Sequence, residues 1–123
     1  MLLSKKSKII FEAEKIKSEM TLEEIVAVIA TGDRNSPEYG LTLMILKSLV
    51  TGNRSISKNE MYDMFMRNRE HISKASFYRI LNRLIDRGMV VFDEERQIYA
   101  PSVIFSNSLQ KLAIAWESLA LWL

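Results

Sequence analysis

The strongest constraint on the fold lies between Ser57 and Ala100, where two capped helical segments run directly into two short apolar segments. Ser57-Lys58-Asn59-Glu60 has the form of a capping box. In such a box a hydroxyl accepts the backbone N–H three residues on, and the carboxylate there reaches back. Met61, Met64 and Phe65 follow at helical spacing and form one apolar face. Asn68 to Ile72 reads as a turn, and Ser73 then caps a second helix that ends at Gly88 after Arg87. On that helix Phe77, Ile80, Leu81 and Leu84 share one side, at about 100° per residue. Met89-Val90-Val91-Phe92 and Gln97-Ile98-Tyr99-Ala100 have the length and composition of strands. Asp93 to Arg96 would be the turn between them, without the Asn-Gly or Asp-Gly signature.

The upstream sequence supplies more helix. Ile9, Ala13, Ile16 and Met20 fall at i, i+4, i+7 and i+11. Thr21-Leu22-Glu23-Glu24 is another capping box, and Ile25, Val26 and Ile29 carry that helix to a stop at Gly32. Asp33 to Pro37 is a loop ending with Ser36 as N-cap and Pro37 at the first helical position. From Pro37 to about Thr51 the chain is apolar on most sides, as a central helix is, and Gly52 closes it. A last helix is expected from about Ser106 to Leu123.

The order helix, helix, helix, hairpin, helix implies a mainly α chain with a small β-hairpin. Three helices followed by a hairpin is the winged helix-turn-helix arrangement, with the helices from Ser57 and Ser73 as its pair. Extra helices flank it at both ends. The expected organisation is a single domain: N-terminal helices over 1–36, the winged core over 37–101 and a dimerisation helix over 102–123. No repeat, low-complexity tract or linker interrupts it.

Charge points toward function. The formal net charge is +2, but the segment from Arg54 to Arg87 has eight Lys/Arg against four Asp/Glu. Its basic excess is an electrostatic footprint. On the helix from Ser73 the side opposite Phe77 carries Ala75, Ser76, Arg79, Asn82 and Arg83, with Lys74 in the first turn. A helix entering the DNA major groove needs small residues at its leading end, forked donors for base edges and cations for phosphates. Arg79 is the best candidate for a guanine contact, and Lys74 and Arg83 for phosphates. A polar, basic outer face alone is what any solvated helix shows. The capped helix before it, the hairpin after it and the regional charge favour double-stranded DNA.

Ser73-Lys74-Ala75-Ser76-Phe77-Tyr78-Arg79-Ile80-Leu81-Asn82-Arg83-Leu84, closing with Gly88-Met89-Val90, resembles the recognition segment of PadR-like winged-helix regulators. MarR-type regulators are a more distant match. The resemblance implies a homodimeric transcriptional repressor whose terminal helices form the dimer interface. It also implies DNA contact by Ser73, Ser76, Tyr78 and Arg79. Lys58 joins these as a candidate contact. Two features depart from the pattern. Lys58-Asn59-Glu60-Met61-Tyr62 stands where the family has a Gly-Tyr motif, and the wing tip is the acidic Asp93-Glu94-Glu95. Carboxylates near phosphates are unfavourable, so this wing is not expected to enter a minor groove: it either only steadies the fold or bends away with Arg96 alone touching the backbone.

The terminal helix carries a stripe of Leu109, Leu112, Ala113, Trp116, Ala120 and Leu123, with Ile114, Leu121 and Trp122 off it. Such a helix is either a buried core element or an interface. Apolar residues on two faces favour a homodimer interface through Leu109, Leu112, Trp116, Leu119, Leu121 and Trp122, joined by the N-terminal helix. Two-fold symmetry suits half-sites one DNA turn apart.

Other classes find little support. With no cysteine there is no disulfide, thiolate metal site or cysteine nucleophile. His71 has no second histidine at ligand spacing, and glycines at 32, 40, 52 and 88 build no phosphate loop. No nucleophile–base pair is found, so the expectation is a protein without catalysis, cofactor or metal. The apolar C-terminal run is too short for a span of about 20 residues and is broken by Lys111 and Glu117. No signal peptide is evident, and a cytoplasmic protein is expected. Two alternatives stay open: a winged-helix interaction module in a larger assembly, and a DNA-binding replication or partition factor.

Overall fold

The computed structural model describes residues 13–29 and 37–122, apart from the side chains of Lys15 and Trp122. The chain runs α1 (Leu22–Ile29), α2 (Pro37–Val50), β1 (Ile56–Ser57), α3 (Lys58–Arg67), α4 (Lys74–Asp86), β2 (Val90–Asp93), β3 (Ile98–Pro101) and α5 (Ile104–Trp122). Among the described residues it is therefore mainly helical, with five α-helices and a small antiparallel sheet.

Local chemistry sets most boundaries. Thr21 Oγ1 accepts the Glu24 N–H at 3.2 Å and Glu24 Oε1 accepts the Thr21 N–H at 2.9 Å, so α1 starts with a complete capping box. Ser57 and Glu60 repeat the arrangement at the start of α3. Ser73, in extended backbone conformation, caps α4 through the Ser76 N–H. Between α3 and α4, Asn68 caps the first helix with its N–H on Phe65 O, and its own carbonyl receives His71 and Ile72 N–H groups. Pro37 opens α2 as its residue type favours. The expected Ser36 cap, the Gly32 stop and Ile9 lie outside the described residues.

The expected helix through Ala13, Ile16 and Met20 does not form over the described part. Ala13–Lys15 is a single 3-10 turn, and Ile16 is exposed. Thr21 must stay extended to cap α1, so no helix can run through it. Among the described residues of this segment Met20 alone is partly covered, so no buried face supports a longer helix ahead of the cap.

α2 is the central element, packed against α1, α4 and β3. It buries Tyr39, Thr42, Ile45, Leu46 and Leu49 along one face, with Leu41, Leu43 and Met44 partly buried beside them. α3 contributes Met61, Met64 and Phe65 to the same core, and α4 contributes Phe77, Ile80, Leu81 and Leu84. Phe65 and Phe77 pack with ring centroids 5.8 Å apart, tying the two helices together.

The two expected strands form part of a three-stranded sheet in the order β1-β3-β2. β1 pairs Ile56 with Tyr99 and Ser57 with Ile98, placing β3 at the centre. Two residues carry no readable period, so β1 has no sequence signal. The hairpin turn closes without Asn-Gly. Asp93 Oδ1 accepts the N–H groups of Glu95 and Arg96 at 3.0 and 3.2 Å, and Gln97 takes the left-handed conformation at φ +58°.

α5 begins at Ile104, two residues before the expected start, and among the described residues it packs on the core through Phe105 in its first turn. Gly88 makes this junction possible. Its φ is +82°, and a Cβ there would lie 2.7 Å from Ile104 Cγ2 and 2.9 Å from the Phe105 nitrogen. The Phe105 N–H donates to Gly88 O at 2.9 Å. Every residue from Ser106 to Leu121 is exposed, so within the single chain α5 is not a core helix.

Candidate nucleic-acid interface

The leading end of α4 is ordered by a short hydroxyl relay. Ser73 Oγ accepts the Ser76 N–H at 3.1 Å and donates to Ser76 Oγ at 3.0 Å. Arg79 Nη2 also donates to Ser76 Oγ, at 3.4 Å. At that length the contact orients the guanidinium without committing it, and Arg79 is exposed. Ser73 thus serves as the helix cap, while Ser76 is the platform beneath Arg79. Ala75 is exposed in the same first turn, and Asn82 is exposed one turn beyond Arg79. These residues form an outward surface that is small at the leading end and rich in donors behind it.

Lys74 Nζ stands 5.5 Å from the Tyr62 ring centroid, a cation–π contact from α4 to α3. Tyr62 is 40% exposed and so belongs to the outward surface. Sequence reasoning passed it over, although an aromatic outside the Met61, Met64, Phe65 face was the available signal. Tyr78 is half-buried, its ring edge-on to Phe77 at 5.3 Å. Burial pushes its phenol above the ordinary value of 10, with smaller contributions from Tyr99 and Tyr62. It therefore presents a neutral hydroxyl.

Arg83 takes a different position from the one expected. Its Nη1 donates to Glu38 Oε1 at 2.6 Å, and the side chains are only 13% and 22% exposed. The guanidinium ties α4 to α2 instead of extending outward to a phosphate. Arg87 lies in the same neighbourhood. Burial lowers its pKa, the Glu38 carboxylate opposes that, and the Arg83 charge adds to the lowering. Arg83 is therefore turned toward Glu38 and Arg87 is partly buried near it, while Lys58, Lys74 and Arg79 are exposed.

Lys58 and Arg96 are associated with the hairpin. Lys58 is exposed at the start of α3, and its N–H donates to Gln97 O at 2.9 Å. Arg96 is 77% exposed, with Nε a loose 3.9 Å from Asp93 Oδ2. Asp93 accepts the turn N–H groups with its side chain still 40% exposed, and Glu94 and Glu95 are exposed beside it. Ser73, Lys74, Ser76, Arg79 and Asn82 are thus brought together on α4, with Tyr78 at their flank.

The expected interface residues of α5 are open to solvent. Leu109, Leu112, Trp116, Leu119 and Leu121 are between 43% and 70% exposed. The side chain of Trp122 lies outside the described residues.

Residues 20–121 match a protein-family model described as an archaeal family. No curated protein and no solved structure matches the chain.

Proposed function

We propose that this chain, which belongs to the archaeal family matched over residues 20–121, is a winged helix-turn-helix protein that binds double-stranded DNA. In this reading it acts in the cytoplasm as a homodimeric, sequence-specific regulator of transcription, a repressor in keeping with its PadR-like recognition segment. It is a binding protein and not an enzyme.

The observation that carries the reading is the face of α4. Phe77, Ile80, Leu81 and Leu84 are buried on one side, while Ala75, Arg79 and Asn82 are exposed on the other. The small leading turn permits approach to the groove floor. Arg79 offers a fork to guanine and Asn82 an amide to a base edge. Lys74 contacts a phosphate from its seat over Tyr62. α3 and the hairpin support this reading as the first helix and the wing. No described helix is long and apolar enough to cross a membrane.

Selection of bound duplexes from a random pool tests the proposal. The expected product is a two-fold symmetric consensus bound with strong salt dependence. Absence of duplex binding at low salt overturns it. A specific observation favours a second reading, an interaction module in a larger assembly: α5 is bare and Glu94 and Glu95 sit at the wing tip. In that case the protein ignores DNA and α5 drives hetero-association. A replication or partition factor would use the same α4 face, and the genomic position of the selected sites separates it from a transcriptional role.

A further inference from the structure

We infer that Tyr62 on α3 donates its phenol to a phosphate of the DNA backbone, in a row with Lys58 one turn earlier and Lys74 over its ring. The inference rests on the reading of α4 as the duplex-binding helix and extends the contact onto α3. The PadR-like resemblance runs from Ser73 to Val90 and assigns nothing to Tyr62.

α3 turns Met61, Met64 and Phe65 into the core, and Tyr62 lies outside that face, 40% exposed. Its ring is held from two directions. Phe65 packs on it with centroids 5.8 Å apart and planes tilted by 56°. The Lys74 ammonium stands 5.5 Å from its centroid, so the ring also fixes that cation. Lys58 and Asn59 precede Tyr62 by four and three positions, which sets them on the same side of α3, and both are exposed. The Lys58 N–H donates to Gln97 O in the hairpin. The row therefore runs from the hairpin across α3 to the first turn of α4.

The carboxylates of α3 do not oppose it. Glu60 Oε1 accepts the Ser57 N–H at 2.9 Å. Asp63 lines a cleft with Arg67, Arg69 and Glu70, where arginines stand beside both carboxylates.

The surroundings of the ring select a phosphate over a base. A face taken by an ammonium is not open for a base to stack on, as a single-strand platform requires. A phenol among lysines suits an anion: a phosphate oxygen accepts the O–H while the ammonium groups supply the charge. Continuity through Lys74 with the exposed face of α4 favours DNA over an acidic protein surface. Phosphate contacts fix register and carry no sequence information, so Tyr62 should hold any duplex equally.

Fluorescence anisotropy of the full chain with labelled duplexes, selected and random, over a salt series tests this. Tyr62→Phe keeps the ring and removes the hydroxyl. It should weaken both duplexes by the same factor, about threefold to tenfold, with an unchanged salt slope and urea midpoint. Lys74→Ala should reduce the slope by about 0.9, the share of one phosphate. In a Tyr62→Ala background the loss from Lys74→Ala should shrink, because the ring no longer seats the ammonium. A wild-type chain that binds neither duplex overturns this inference together with the DNA-binding reading. Wild-type affinity in Tyr62→Phe overturns the phenol contact and leaves the reading of α4 intact. A loss confined to the selected duplex overturns the assignment to the backbone. A single strand bound more tightly than duplex, and released by Tyr62→Ala, makes the ring a stacking platform and overturns the inference. Additive losses from Tyr62→Ala and Lys74→Ala overturn the seating of Lys74.

Discussion

Arg79 and Arg83 stand four positions apart on α4 and have different surroundings. Arg79 is exposed above Ser76, whereas Arg83 is drawn to Glu38 on α2. A helical wheel groups them, because it registers angle within one helix and not a partner 45 positions earlier in the chain. Their substitutions should therefore separate. Arg83→Ala leaves Glu38 half-satisfied and should cost about 1–3 kcal/mol of stability, read from the urea midpoint. Arg79→Ala should change that midpoint by less than about 0.5 kcal/mol. Equal losses would contradict the division of roles. Gly88 was legible as a helix stop, but its second role was not. Ile104 and Phe105 press against it only once α5 has docked. Gly88→Ala combines a left-handed backbone with a steric clash and should cost about 2–4 kcal/mol by denaturant unfolding.

At the level of elements, what the sequence shows depends on whether the signal is local. The boxes at Thr21 and Ser57 and the cap at Ser73 each act within four residues, and each appears where the residue types place it. β1 depends on β3, more than 40 residues later, and its two residues carry no pattern. Ser57 belongs to both levels, since it ends β1 and caps α3. Ser57→Ala should cost about 1 kcal/mol through the cap alone. Amide exchange should then quicken in the first turn of α3, while α4 stays protected. Uniform quickening through both helices would contradict a local role for the cap. The segment before Thr21 shows the reverse case. Ala13, Ile16 and Met20 have helical spacing, but spacing alone does not supply a surface to bury.

Over the whole molecule, the sequence showed more apolar helix than one small core can cover. The fold puts that surplus on α5, where Leu112 and Trp116 are exposed. The candidate DNA surface was legible as a face because α4 has a clear amphipathic period. Its membership was less legible. Tyr62 enters from α3 through Lys74, and Arg83 leaves toward α2. Both exchanges are tertiary contacts without a sequence period. The regional charge is likewise divided, with Arg83 and Arg87 near Glu38 and Lys74 and Arg79 facing outward. In the proposed complex the outward cations displace counterions and Arg79 reads a base. The most direct test is the affinity of wild-type and Arg79→Ala protein for the selected duplex, titrated over salt. The logarithm of the wild-type binding constant should fall linearly with the logarithm of salt concentration, and Arg79→Ala should weaken the specific site by about 1–3 kcal/mol while binding random duplex nearly as well. Equal affinity of the two proteins for the selected site would contradict the assignment of α4 as the reading helix.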